Sequence, residues 1–528
     1  MRFFQLCCFV TIMLVQLEHV QGETVLTLGP GTPVNPMIVG INNNAIRGDM
    51  PYDDVGLRQI IRLSNLTSLR YPGGTSGSLF DWKTGQYVDD NILLQYGPQS
   101  WHDMYMAAKR RIARFPSGTF SAENFSRLCK DVGVEPIWIP NPVTLSVESN
   151  IKFFEHLKAK GISCNYVEMG NECSGGAFRR RFPTGSDYVD ACRPVMKRIR
   201  QLFPEAKIAV VGSGVNVMQL AESQQEAGTA DSRGNTWNKL LMPDQKYFDA
   251  LVLHSYGVGA KRLRPYRPDQ WQSFTLAYPG VYMQAAAQLS RQEYGSIPIW
   301  LTEYNAAFHE LMPGRVRKYD AAEEYFGKLA DSTMQGLMIS GYIIGALNDP
   351  AIWEMMHYHS IMGPPGFRMF HIINKEWCAS PNIQIFSYLA TLIRQAKTTY
   401  PVVVNGGQIL DMTILGHDNI PVVAAAVLEN TVQRTWLILN RGGKNLTVNL
   451  PWDTAYKADI RTIDGSLSDG KENNSLWVPI STINGQEQFW NAPLSIKPIT
   501  IKRKDGEGGM SQILSAYSLT VVAMYISE

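Results

Sequence analysis

Eight short apolar segments, each with a polar residue at or near its carboxyl end, recur between residues 37 and 348. They are "MIVGINN" (37–43), "LTSLRYP" (66–72), "PIWIPN" (136–141), "NYVEMGN" (165–171), "IAVVGSG" (208–214), "ALVLHSY" (250–256), "IWLTEYN" (299–305) and "YIIGALN" (342–348). Near-continuous apolar strands belong to a parallel sheet covered on both faces by helices. The cover is legible between them. "VESNIKFFEHLKAKG" sets Ile151, Phe154 and Leu157 at helical spacing and stops on Gly161. "DYVDACRPVMKRIRQLF", bent by Pro194, reads the same way, as do "AAEEYFGKLADSTMQGLM" and "NIQIFSYLATLIRQA". Eight strand–helix units predict an α/β fold, a closed (β/α)8 TIM barrel over residues 37–398. An open doubly wound sheet is the competitor; no G-x-G-x-x-G follows a strand, which weakens its dinucleotide-binding form.

Beyond Tyr400 the texture changes. "VVAAAVLEN", "TWLILNRGG", "NLTVNLPW", "PLSIKPITIKR" and "SAYSLTVVAMY" are β-rich and split by Gly, Asn and Pro. With no long helical pattern among them, residues 399–528 are expected to form an antiparallel β-sandwich. "ETVLTLG" (23–29), within an N-terminal piece spanning 23–36, is expected to add a strand to it.

A chain of 528 residues with 45% hydrophobic and 18% charged residues has ample material for both cores. Its formal net charge of +2 argues against a nucleic-acid partner for the chain as a whole. "FFQLCCFVTIMLVQL" after Arg2 is too short to span a bilayer, and Val20 with Gly22 makes an acceptable cleavage signature. Residues 1–22 therefore read as a signal peptide of a secreted or lysosome-like lumenal protein, with no membrane span expected in residues 23–528. Five cysteines remain after cleavage: Cys129, Cys164, Cys173, Cys192 and Cys378. At most two disulfides can form; Cys173 and Cys192 flank one loop and helix and can bridge, but spacing does not decide it. No CxxC spacing supports a zinc or redox site, and no spacing implies a metal, nucleotide or other cofactor. Sequons at Asn65, Asn124, Asn445 and Asn473 suit an exported glycoprotein.

Barrel enzymes place their chemistry at the carboxyl ends of the strands. The predicted ends carry Asn43, Arg70, Asn141, Asn171 with Glu172, Ser213, His254 with Tyr256, Glu303 with Asn305, and Asn348. Two carboxylates, Glu172 and Glu303, on strands four and seven of one barrel are what glycosidic cleavage requires: one protonates the leaving oxygen and the other attacks the anomeric carbon. Arg70 and Tyr256 are placed to keep Glu303 ionised, and Asn171 to bind a sugar 2-hydroxyl. Trp82, Trp138, Trp271 and Trp353 are either core or sugar-stacking residues.

"GNE" closing the fourth segment, "LTEYN" on the seventh, "HSY" on the sixth and "LRYPGG" on the second resemble the clan A retaining glycoside hydrolases. "LRYPGGTSGSLFDWKTG" is most similar to family 51, the α-L-arabinofuranosidases. Families 39 and 79, the latter including heparanase-like β-glucuronidases, share the barrel-plus-sandwich plan. The resemblance implies Glu172 as acid/base, Glu303 as nucleophile, Asn171 as the 2-hydroxyl contact, and Arg70, His254 and Tyr256 as supports of the nucleophile. It also has departures. Family 51 members usually carry another glutamate after the first strand, where "GINNNAIRG" offers Asn42, Asn43 and Asn44, and the residues after "PGG" differ. Arabinofuranoside is therefore not carried over as the substrate.

Three basic loops leave the same predicted face: Arg179, Arg180 and Arg181; Lys261, Arg262, Arg264 and Arg267; Arg315, Arg317 and Lys318. Around one rim of a nearly neutral chain they point to an acidic, sulfated or uronic-acid-bearing polysaccharide or oligosaccharide. The expectation is a secreted retaining glycoside hydrolase on such a polymer. The alternatives are a hydrolase of neutral glycans, such as an arabinofuranosidase, and a catalytically silent carbohydrate-binding protein. Nothing in the sequence fixes the oligomeric state.

Overall fold

A computed structural model describes residues 23–47, 50–96, 102–214, 217, 232–311, 320–373, 375–451, 455–465, 478–479, 499–502 and 509–526. The predicted signal peptide, the sequon at Asn473 and the basic residues Arg315, Arg317 and Lys318 lie outside the described residues.

Eight parallel strands close into a barrel: β1 (Gly40–Asn42), β2 (Ser68–Tyr71), β3 (Glu135–Trp138), β4 (Tyr166–Glu168), β5 (Lys207–Val211), β6 (Ala250–Ser255), β7 (Ile299–Tyr304) and β8 (Trp353–Tyr358). The helices that follow them in turn include α1 (Val55–Ser64), α2 (Ala122–Val132), α3 (Val147–Ala159), α4 (Gly185–Leu202), α5 (Ser232–Leu241), α6 (Trp271–Glu293), α7 (Thr333–Leu347) and α8 (Pro381–Gln395). Their starts are marked in the sequence. Asp54, Ser121, Ser146 and Thr184 each cap a helix by accepting a backbone N–H, and Asn65 and Gly133 end α1 and α2 in the left-handed conformation.

Two predicted strands need correction. "YIIGALN" is the end of α7, and the eighth strand is "WEMMHY", β8. The reason is burial. α7 packs against α6, α8 and the sandwich strands, and nearly every residue in it is buried, so its apolar run has no polar face to betray a helical period. Asn348, read as a strand end, instead caps α7; its amide donates to Ala425 O and its Oδ1 accepts from Val402 N. At the first segment only Gly40–Asn42 is strand, and Pro36–Val39 form a 3-10 turn.

Among the described residues the second unit is a ten-stranded assembly, antiparallel in all but one pair. The N-terminal strand Thr24–Leu28 lies antiparallel to β9 (Thr398–Asn405) and parallel to Leu446–Pro451. From β9 the pairing runs through β10 (Val423–Glu429) and β11 (Gln433–Asn440) to β12 (Ser518–Ile526). The first and last described strands thus share one assembly. Cys129, Cys164, Cys173, Cys192 and Cys378 are all buried and none is in a disulfide, so Cys173 and Cys192 are not bridged. Trp138 and Trp353 are wholly buried core residues, Trp271 is nearly so, and half-buried Trp82 spends its indole N–H on Ser149 O.

Candidate active site

Inside the barrel, Ile137, Ala209, Ala250, Val252, Trp300 and Met355 form a separate apolar cluster. Two residues further along the strands the character changes. Arg70 is paired with Ile137 across β2 and β3; Glu168 lies two beyond Tyr166 on β4, and His254 two beyond Val252 on β6. The two-residue period keeps all three on the barrel's inner face. A layer of ionisable groups therefore stands on an apolar plug, facing the carboxyl ends of the strands.

Glu303 joins this layer by an irregularity. Along β6 and β7, Leu253 pairs with Leu301 but His254 pairs with Glu303, and the pairing with β8 also slips between Leu301 and Tyr304. Between Leu301 and Tyr304, β7 holds one residue more than the facing stretches of β6 and β8, a bulge of the kind that re-aims side chains. The extra residue, Thr302, is put to use: its carbonyl accepts from Arg70 Nη1 at 3.1 Å and its Oγ1 meets His254 Nε2 at 3.2 Å.

Arg70 is wholly buried, and all five of its N–H groups have acceptors. Nε and Nη2 form a fork on Glu168 (3.0 and 2.6 Å), Nη2 also reaches Asn171 Oδ1 (3.0 Å), and Nη1 donates to Glu303 Oε1 (2.9 Å) as well as to Thr302 O. Burial alone would lower its pKa, but Glu168 and Glu303 outweigh burial and raise it. Glu303 Oε1 also accepts from the Asn42 amide at 2.9 Å, and Oε2 accepts from Tyr256 Oη at 2.6 Å. Burial pushes Glu303 toward neutrality; His254, His359, Arg70 and the Tyr256 hydroxyl overcome it and hold the carboxyl below the usual carboxylate range. Burial and the neighbouring carboxylates push the Tyr256 phenol up, so it remains a donor.

Glu172 sits differently. Its side chain is 37% exposed against 5% for Glu303. His254 Nδ1 reaches its Oε1 at 3.2 Å and the Thr75 hydroxyl donates to its Oε2 at 3.4 Å. The turn that delivers it is tight: a Cβ at Gly170 (φ +100°) would stand 2.8 Å from Pro142 Cγ, and Glu172 itself is left-handed at φ +48°. A non-glycine residue held there stores backbone strain of the sort found at functional sites. His254 stands between the two carboxylates. Burial opposes its charge, but Glu303 and Glu172 prevail and raise its pKa.

Glu172, Glu303, Asn171, Arg70, His254 and Tyr256 are thus brought into one hydrogen-bonded cluster. The three arginines after Glu172 are not part of it in the same way: Arg179 and Arg180 are exposed, and Arg181 lays its guanidinium 5.2 Å over the Phe182 ring. In the next basic loop Arg264 is bound by Asp320 and Glu323, and Arg267 by Asp269 and Asp411. Other predicted strand-end residues are spent on scaffolding. Asn141 braces the turn at Val143 and Thr144, Ser213 is held by the Asn238 amide, and Asn305 ties Tyr358 to Gly366.

Sequence reasoning missed Glu168, Asn42 as a donor to Glu303, and His359. Glu168 left a signal, since a carboxylate inside an apolar strand needs a buried cation, and Arg70 was already in view. His359 Nδ1 lies 2.8 Å from the Asn42 amide nitrogen and 3.5 Å from Glu303 Oε2. Burial lowers its pKa to about 4, leaving it neutral.

One ligand atom each from Glu172, His254 and Glu303 lie within 4.8 Å of one another, a spacing three metal ligands could adopt. The donor chemistry fits a cation poorly: Arg70 and Asn42 occupy Glu303 Oε1, and Tyr256 occupies Oε2. The same spacing suits two carboxylates acting on one bond. Double displacement uses carboxyl groups about 5–5.5 Å apart, whereas inversion needs about 6.5–9.5 Å to admit a water.

No family model matches the sequence, and no curated protein matches it. Solved structures do match along nearly the whole chain. AbfB, a family 51 α-L-arabinofuranosidase from Bifidobacterium longum, superposes with a TM-score of 0.67 at 13% identity over 95% of this chain and 99% of its own. The α-L-arabinofuranosidase from Thermotoga maritima, in complex with arabinose, gives 0.63 at 14% identity, covering 96% and 100%. A family 44 xyloglucanase from Paenibacillus polymyxa gives 0.56 at 10% identity, covering 95% and 99%. The barrel-plus-sandwich fold is shared with these proteins.

Proposed function

We propose that the chain is a retaining glycoside hydrolase acting on a neutral glycan, with α-L-arabinofuranosides the first substrates to test. The observation that carries the reading is the pair Glu172 and Glu303, one oxygen of each within 4.8 Å, in unlike surroundings. Glu303, buried and held ionised, attacks the anomeric carbon. Glu172, half-exposed, gives its proton to the leaving oxygen and then takes one from water as the glycosyl-enzyme is hydrolysed. Asn171 adds to the support: its buried side-chain amide donor has no partner among the described residues, beside Glu172, where a sugar hydroxyl would accept from it. The fold shared with family 51 arabinofuranosidases favours a neutral pentofuranoside, and the ion pairing of Arg264 and Arg267 weakens the case for a polyanion.

The test is a panel of aryl glycosides and neutral polysaccharides, with the anomeric configuration of the first-formed product read by NMR. Retention on an arabinofuranoside, loss of turnover in both Glu172→Gln and Glu303→Gln, and a covalent glycosyl adduct on Glu303 by mass spectrometry are expected. Inverted product, or full activity in both variants, would overturn the mechanism. Exposed Arg179 and Arg180 favour a second reading, an acidic polymer. That reading requires Arg179→Ala/Arg180→Ala to raise KM for acidic polysaccharide several-fold at low salt and to leave small neutral glycosides unaffected. No change on either substrate leaves the neutral glycan alone.

A further inference from the structure

Far from the ionisable layer, a cavity of about 630 Å3 lies between helices α6 and α7 of the barrel and the β-sandwich. Met283 and Ile344 line it from the barrel side, and Val404 and Ile420 from the sandwich side. Its wall also contains a guanidinium. Arg441, directly after β11, is only 5% exposed, yet no carboxylate lies within ion-pair distance of it among the described residues. One arm, Nη2, donates to the carbonyls of Pro421 and Val423, while Nε is buried with no hydrogen-bond partner among the described residues. Two acids share the cavity wall without neutralising it: Asp349 is already paired with Arg291, and Asp418 is exposed. Burial accordingly lowers the Arg441 pKa to about 10, with no charged neighbour to offset it.

A buried cation without a counter-ion is expensive, and proteins normally supply one. Here the chain supplies a cavity with both apolar and polar walls instead, of a volume ordinary for small-molecule sites. We propose that this cavity binds a small organic carboxylate, its carboxylate on Arg441 and its apolar body between α6, α7 and the sandwich. A bare inorganic anion would leave the apolar part of the wall, Met283, Ile344, Val404 and Ile420, unused, and a neutral ligand would leave Arg441 unpaired. Because the site joins barrel helices to sandwich strands, its occupant also stabilises the folded chain by mass action. The proposal is independent of the hydrolytic reading, since Arg441 touches none of the groups at the barrel mouth.

Hexanoate is the probe and hexanamide its uncharged counterpart, titrated calorimetrically into the full chain. Hexanoate is expected to bind one to one and at least about tenfold tighter than hexanamide, the low end for a charge-assisted contact. Arg441→Met should bring hexanoate down to the hexanamide level. Gly280→Leu provides a second route that keeps the cation. A side chain built at Gly280 meets only Arg441 Nη1, at 3.4 Å, so it extends into the cavity and should exclude both probes. Absence of hexanoate binding at millimolar concentration, equal binding of both probes, or undiminished hexanoate binding in Gly280→Leu would overturn the proposal.

Discussion

Gly74 lies so close to Glu303 that a methyl group on its α-carbon would stand 2.4 Å from Glu303 Oε1. The "PGG" turn after β2 is thus a wall of the carboxylate's pocket, and only a bare backbone fits there. Gly74→Ala must displace Glu303 from Arg70 and Asn42. Reacting groups moved by a fraction of an ångström lose near-attack geometry, so turnover on an aryl glycoside should fall about a hundredfold. Overpacking one site costs about 1–3 kcal/mol, so the urea midpoint should fall but the chain should still fold, and the lost turnover is read on folded protein.

Tyr256→Phe removes the 2.6 Å donor to Glu303 Oε2 and little else. A hydrogen bond to a charged group contributes about 1.5–3 kcal/mol, so kcat should drop about tenfold to a hundredfold. Losing that donor also lets the Glu303 pKa rise, which moves the acid limb of the pH–rate profile to higher pH. An unmoved acid limb would mean that Glu303 does not set it.

Arg70 serves two buried carboxylates, so removing it should be worse than removing its fork partner with it. Arg70→Met leaves Glu168 and Glu303 without their shared cation and should cost about 3–5 kcal/mol in urea unfolding. Adding Glu168→Leu to Arg70→Met takes away one stranded charge and should recover part of that stability, though not activity. Additive losses in the double variant would contradict the coupling.

His359 is held neutral by burial, at about 4 against an ordinary value of 6.5. As pH falls from about 6.5 toward about 4, the unfolded chain takes up a proton that the folded chain refuses. Stability is therefore lost across that window, by about 3 kcal/mol at about 1.4 kcal/mol per unit. His254, raised by its carboxylates, acts in the opposite sense, adding stability below its ordinary value that is lost as pH rises through its raised one. His359→Gln should flatten the decline between pH 6.5 and 4 in urea midpoints. An unchanged slope would show that another group governs it.

Much of the fold and of the site is legible in the residues alone, for identifiable reasons. Seven strands announce themselves because each apolar body ends abruptly on a polar residue at the mouth. The eighth does not, because α7 is buried on every side and its sequence has no period to read; misplacing that strand also hides His359, which follows the true one. Arg70, Glu172, His254, Tyr256 and Glu303 stand out by residue type at strand ends. Asn141, Ser213 and Asn305 look the same in sequence but serve loops, since a side chain's hydrogen-bond partners depend on residues far away in the chain. The ion pairing that weakens the polyanion reading is not legible either: Asp320 and Glu323, which bind Arg264, come more than fifty residues later.

The bulge at Thr302 has a consequence for how such a site can be gained or lost. Because β7 carries one residue more than β6, Thr302 is an insert whose removal restores a regular strand, in which Glu303 follows Leu301 as His254 follows Leu253. An in-frame loss of the Thr302 codon would keep "IWL" and "EY" and so preserve nearly every apolar position of the strand. The carboxylate would still face the barrel interior, two positions beyond Trp300, but Arg70 and His254 would lose their Thr302 contacts at once. A single-codon insertion into a regular strand is thus enough to add both contacts to a carboxylate that already faces the mouth.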